Sequence, residues 1–96
     1  MPGYEVYLSE DADDFLSSVD AKSQRICKNN LKKLKSDPYP GRGSGDKEKI
    51  IVEGEEVYRL HIGRSYTAFY VIVEKDNVVR VLEIMTIDEA HKKYGY

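Results

Sequence analysis

Between Val57 and Ile72 the chain reads VYRLHIGRSYTAFYVI, and its polarity alternates every second residue. Tyr58, Leu60 and Ile62 alternate with Arg59 and His61, the pattern of a strand with one buried and one open face. Gly63-Arg64-Ser65 then supplies a turn, and Tyr66 to Val73 forms a second run rich in β-branched and aromatic residues. The pair predicts a hairpin that carries a cation and an imidazole on one exposed face. Such residues can simply keep an open face soluble, or they can form a site, since a core strand has no use for them.

The same alternation opens the chain. Tyr4, Val6 and Leu8 against Glu5, Tyr7 and Ser9 predict a first strand. Ser9 is then placed to cap a short helix whose first turns hold Glu10, Asp11, Asp13 and Asp14, acids that complement the positive dipole end. Ala12, Phe15, Leu16 and Val19 give it an apolar stripe at helical spacing. Asp20 caps a second predicted helix over about 21–34, with Ile26, Cys27, Leu31 and Leu34 inward. Lys22, Arg25, Lys28, Lys32, Lys33 and Lys35 take the remaining surface.

Residues 36–45, SDPYPGRGSG, contain two of the three prolines and three of the seven glycines and cannot join a central strand. They read as a helix-to-sheet connector or as a flexible loop beside a site. A strand over 49–53, a tight turn at Gly54-Glu55, the hairpin above, a turn at Lys75-Asp76-Asn77 and a strand over 78–85 follow. Thr86 to Glu89 resembles a helix cap leading into a brief helix that ends near Tyr94. The order predicts an α+β fold in a single domain spanning 1–96. It comprises an N-terminal strand, an αα-hairpin and a four-stranded antiparallel meander in one mainly antiparallel sheet, with the long helices on one face and a short C-terminal helix.

Composition changes this picture little, and charge changes it more. The apolar share of 41% and ten aromatics, eight of them Tyr, are those of a folded globular chain. The lone Cys27 reads as a small core residue in a reducing compartment, with no partner in the chain for a disulfide. Two histidines and one cysteine without ligand spacing predict no structural metal. No run approaches the roughly 20 apolar residues of a membrane span, and no leader-like segment opens the sequence, so the expectation is a cytoplasmic protein without membrane association. The net charge of −2 conceals segregation. Residues 1–21 carry six acids and no Lys or Arg, whereas residues 22–49 carry nine bases against three acids. A basic block beside an acidic one marks either a masked polyanion site or two helix faces in mutual attraction.

Taken together, the motifs resemble the RelE/ParE toxin superfamily, in its RelE-like branch of type II toxin–antitoxin modules. The resemblance covers nearly the whole chain. It rests on the opening strand ending in Ser9-Glu10, the αα-hairpin closing in Leu34-Lys35-Ser36-Asp37-Pro38, and Tyr58-Arg59-Leu60-His61-Ile62-Gly63. Tyr66 to Ile72, Val79 to Ile84 and the C-terminal Tyr94 continue it. It implies a compact sheet with a concave surface opposite the helices, a cognate antitoxin wrapping that surface, and inhibition of translation by ribosome-dependent cleavage of mRNA. That chemistry is attack of a 2′-hydroxyl on the adjacent phosphate, with no metal and no cofactor. It needs a proton acceptor, cations for the phosphorane charge and a proton donor for the leaving oxygen.

Carried over by motif, Arg59 and His61 fall where the RNA-cleaving members place two cations on one strand. Tyr94 falls where they place a Tyr that aligns the nucleotide. His91 is a second candidate for proton transfer, since imidazole titrates near neutrality. Lys47, Lys49, Arg64 and Lys92 are neighbouring cations that could hold RNA, and Lys28 and Lys32 are expected to touch ribosomal RNA phosphates. Two departures stand out: Thr67 where the active family shows Arg, and Met85-Thr86-Ile87-Asp88 where it carries a basic pair. They predict weakened cleavage, and an arginine restored at 67 is expected to raise it. The alternatives are a non-catalytic module that binds an antitoxin, and operator DNA through that complex, or a ParE-like gyrase inhibitor, which the Arg59/His61 pair disfavours.

Overall fold

Ser9 and Asp20 divide the first third of the chain as the polarity pattern predicts. The computed structural model describes residues 3–41 and 47–95, so most of the glycine-rich part of the predicted connector lies outside the described residues. Helix α1 spans Glu10–Ser18, and Ser9 Oγ accepts the Ala12 amide at 3.0 Å. Helix α2 spans Ala21–Lys32, capped by Asp20 through the Ser23 amide at 3.4 Å, and runs into a 3₁₀ turn over Lys33–Lys35. Each cap satisfies one amide that has no partner inside its helix. The inward stripe of α2 is Cys27, Leu31 and Leu34, all buried, whereas Ile26 is 39% exposed. The expectation for Ile26 is thereby corrected: it sits one residue, about 100° of helix, to the side of Cys27.

Five strands form one sheet in the order β1-β5-β4-β3-β2: β1 Glu5–Leu8, β2 Lys47–Val52, β3 Glu55–Ile62, β4 Tyr66–Val73 and β5 Val78–Thr86. The meander β2 to β5 is antiparallel as expected, and β1 joins β5 in parallel. The chain leaves β1 through the helical layer rather than a hairpin, which permits that parallel neighbour. The β2–β3 hairpin turns on Glu53 and Gly54, both left-handed at φ 51° and 83°, one residue earlier than the predicted Gly54-Glu55. Two left-handed residues twist the connection in the sense that β strands prefer. Between β4 and β5 the register shifts, because Phe69 faces Glu83 while Tyr70 faces Val81. Leu82 is the extra residue of this bulge and stays 36% exposed.

Leu60, Ile62, Ala68, Tyr70, Val79, Val81 and Ile84 pack under α1 and α2, with Tyr58 and Tyr66 partly buried at the margin. The Tyr70 phenol, pushed up in pKa chiefly by burial, donates to Pro38 O at 2.6 Å and ties the connector to the core. The sheet's other face carries a smaller core of Ile50, Val57, Phe69, Met85 and Ala90. Ala90 belongs to helix α3, Ile87–Tyr94, which crosses this face. Thr86 starts α3 with a reciprocal cap: its Oγ1 accepts the Glu89 amide and donates to the Glu89 carboxylate, both at 3.1 Å. Among the described residues no helix is long and apolar enough to cross a membrane.

Candidate functional site

The turn at Glu53-Gly54 determines what faces Arg59. Counting back from it, β2 and β3 pair Val52 with Glu55, Ile50 with Val57, and Glu48 with Arg59. On β4 the residue opposite Arg59 is Phe69, and Phe69 in turn faces Glu83 on β5. One row, Glu48–Arg59–Phe69–Glu83, therefore crosses four strands on the face away from α1 and α2. Directly above it His61 faces Thr67, and Thr67 faces Met85. The two rows meet side by side on one surface, because alternate residues of a strand share a face.

At one end of the lower row the Arg59 guanidinium is ion-paired with Glu48, whose Oε1 also lies 4.0 Å from His61 Nε2. Arg59's side chain is 13% exposed, against 46% for Glu48 and 40% for His61. The Arg59 side chain is thus mostly covered, while carboxylate and imidazole remain accessible. A carboxylate, a guanidinium and an imidazole within reach of one another comprise a proton acceptor, an anion stabiliser and a proton donor. Arg59 and His61 point away from the helices as predicted, but Glu48 was no candidate. The predicted turn at Gly54-Glu55 sets Ile50 across from Arg59 and leaves Glu48 unnoticed; the observed turn one residue earlier exchanges them.

At the other end, Glu83 receives Lys93 Nζ on one oxygen and the Tyr94 hydroxyl on the other, the latter at 2.7 Å. The Tyr94 ring tilts against Phe69 with centroids 4.7 Å apart. Tyr94 therefore stands above the middle of the row, with its phenol kept protonated by burial and by the Glu83 charge. Partial burial acts to raise the Glu83 carboxyl, but the hydrogen bonds from Lys93 and Tyr94 and the Lys93 charge outweigh it and hold it below the ordinary 4.5. A depressed carboxylate stabilises the fold above its ordinary pKa, and that contribution disappears as pH falls through the folded value. We expect the thermal midpoint to fall more steeply below pH 4.5 in the native chain than in Glu83→Gln, compared by circular dichroism from pH 7 to 3. Equal acid slopes would show that the Glu83 contacts do not hold α3.

The remaining predicted residues divide between the two layers. His91 is exposed on α3, and Arg64 is exposed in the β3–β4 turn above His61. Lys47 and Lys49 point to the helical side of β2, where Lys47 Nζ donates to Asp37 O at 2.7 Å and Lys49 pairs with Glu56 at 3.2 Å. Both still border a groove of about 460 Å³ that runs over the β2 margin to Glu48 between Tyr39 and Tyr58. Lys28 and Lys32 lie on α2, across the sheet from Arg59, and Lys92 borders a separate hollow between α1 and α3. Thr67 is 1% exposed and its Oγ1 donates to Leu60 O at 3.2 Å. An arginine introduced here has to displace the groups that close over Thr67 before it can bring a cation to the open face. Thr67→Arg should cost about 1–3 kcal/mol through overpacking, read as a lower urea midpoint.

No protein-family model matches the chain, and no curated protein matches it by sequence. Solved structures do. The archaeal RelE–RelB complex from Pyrococcus horikoshii superposes with a TM-score of 0.71 at 25% identity, covering 90% of this chain and 96% of the other. The RelBE2 toxin–antitoxin complex from Mycobacterium tuberculosis gives 0.73 at 15% identity, covering 88% and 98%. A YoeB/ParE toxin from Agrobacterium tumefaciens gives 0.69 at 14%, covering 85% and 96%. The chain has the fold of the RelE-like toxin superfamily over nearly its whole described length.

Proposed function

We propose that this chain is the toxin of a toxin–antitoxin module and acts as a metal-independent endoribonuclease on mRNA at the ribosome. The observation that carries this reading is the Glu48–Arg59–His61 cluster on the face opposite α1 and α2. In such cleavage Glu48 takes the proton of the attacking 2′-hydroxyl, and Arg59 turns from Glu48 to the phosphorane as negative charge accumulates there. His61, as imidazolium, donates to the departing 5′ oxygen. Tyr94 offers a ring beside Phe69 against which a base can lie, and the lysine-bordered groove at the β2 margin gives a path for the strand. These groups supply acid, base and charge stabilisation among themselves, so no step calls for a metal or cofactor. The fold shared with RelE captured alongside RelB supports a cognate antitoxin as partner.

A second reading has its own observation. Arg59 is already neutralised by Glu48, and Thr67 stands buried where a second cation is expected from the resemblance. That favours a module that binds its antitoxin without cutting RNA. Primer extension on messages bound to translating ribosomes separates the two: new 5′ ends on adding the protein support cleavage, and an unchanged ladder leaves only the binding module.

A further inference from the structure

Tyr39 and Tyr58 belong to no acid–base group, yet their rings stand at the border of one. They line the groove at the β2 margin together with Pro40, Lys47, Glu48 and Lys49. Tyr58 stacks on Tyr70 with centroids 5.5 Å and planes 22° apart, and Tyr39 meets Tyr58 nearly at a right angle, at 6.1 Å. Both rings are braced from behind. The Tyr70 hydroxyl donates to Pro38 O, the Tyr39 amide donates to Asp37 Oδ1 at 3.2 Å, and Tyr4 packs on the Tyr39 ring at 6.4 Å. The half-buried pair therefore forms a corner that is set before anything binds. In front of it the groove, about 460 Å³, falls within the range of small-ligand sites. An ammonium carries three donors, and among the described residues Lys47 and Lys49 each direct one, to Asp37 O and to Glu56.

We propose that the Tyr39–Tyr58 corner holds the base of the nucleotide on the 5′ side of the cut and favours a purine there. The inference rests on the cleavage reading, because the position of Glu48 sets it. That carboxylate borders the groove on one side and pairs with Arg59 on the other. A ribose whose 2′-hydroxyl reaches Glu48, with its 3′ phosphate toward Arg59, has its base left to pass over β2, the outer strand of the sheet. Beyond β2 lies the corner. A base entering it stacks on one ring and meets the edge of the other. Such stacking tolerates any base, so discrimination falls to the lysines. Both purines present N7 as an acceptor to their donors, whereas cytosine offers only its N4 donor on that edge. The two rings of a purine also cover more of the corner. The Tyr94–Phe69 platform is then left for the nucleotide on the 3′ side.

Two measurements test it. The first is a titration of the protein with the tetranucleotide U-dA-U-U, whose deoxyribose has no 2′-hydroxyl to attack, followed through the tyrosine ring resonances. Saturable shifts at Tyr39 and Tyr58 are expected. Affinity should fall about tenfold or more in Tyr39→Ala, stay near the native value in Tyr39→Phe, and fall when dA gives way to dC or to an abasic residue. Equal binding of the abasic oligonucleotide, or undiminished binding by Tyr39→Ala, overturns the proposal, since the lysines would then hold phosphates alone. The second is primer extension on translating ribosomes, where cuts should follow purines in the native chain and lose that preference in Tyr39→Ala. Cuts indifferent to the base on their 5′ side overturn the proposal and leave the cleavage reading standing. An absence of cuts removes the cleavage reading and the 5′-side assignment with it, whatever the tetranucleotide shows.

Discussion

Arg59→Ala is expected to lower cleavage of ribosome-bound mRNA by about a hundredfold or more, because removing one preorganised transition-state donor typically costs about 3 kcal/mol. The guanidinium sits in a row where nothing else can replace it: Phe69 is on one side and the carboxylate of Glu48 on the other. Alanine at 59 would leave Glu48 facing the phosphate with His61 as its remaining partner at 4.0 Å, adding repulsion to the loss of stabilisation. The fold should survive. Glu48 is half exposed and can hydrate once its partner is gone, so the stability loss should be about 1 kcal/mol. Arg59→Lys keeps the charge and gives up the two-pronged geometry, so an intermediate rate is expected. Glu48→Gln discriminates further: it removes the proton acceptor while freeing the cation, and a rate that rises instead of falling would assign the base elsewhere. The readout is the yield of new 5′ ends per ribosome. An Arg59→Ala protein that cuts as well as the native chain would remove Arg59 from the mechanism.

Much of this arrangement was legible before any coordinates, and the parts that were not share a cause. Local signals transferred directly. Ser9, Asp20 and Thr86 cap the helices assigned to them, and the alternation of Tyr58 to Ile62 sends Arg59 and His61 to the open face. What failed depended on a count of one. The hairpin at Glu53-Gly54 contains a glycine beside several acids, and shifting the turn by one residue changes the partner of Arg59 from Ile50 to Glu48. Only the backbone, with left-handed Glu53, resolves that shift. Ile26 was lost to the same sensitivity on a helix, where one position is more than a quarter of a turn.

The course of α3 was open for a different reason. The apolar group of Phe69, Val71 and Met85 announces that something must cover it, and either a partner helix or the chain's own C-terminal segment satisfies that demand. Periodicity cannot choose between them. The structure assigns the cover to α3 through Ala90 and Tyr94, and with it places Tyr94 over Phe69 rather than at a free end. The closed environment of Thr67 follows from the same layer, since its neighbours His61 and Met85 are known only once the strands are registered.

Phe69→Ala should be the most disruptive single change on this face, costing about 3–5 kcal/mol of folding stability. Phe69 is 2% exposed and stands at the centre of the four-strand row, between Arg59 and Glu83 and beneath Tyr94. Truncation removes a full aromatic ring, and the space cannot close by collapse because a cavity of about 130 Å³ already lies beside it, bordered by Val52, Val57, Leu82 and Tyr94. A larger void forfeits contacts on several sides. The loss should not be uniform. The core under α1 and α2, with Leu60, Tyr70 and Val81, forms a separate hydrophobic cluster on the other face of the sheet. The amides of α3 should therefore exchange with solvent far sooner than those of β3 to β5, while Tyr94 loses its packing but keeps Glu83 within reach. Phe69→Leu, which refills most of the volume, should recover more than half of the stability. Urea unfolding gives the magnitude and amide exchange gives the location. A uniform rise in exchange across the sheet would mean that the two faces form one cooperative core, and that α3 is as integral to the fold as α1 and α2.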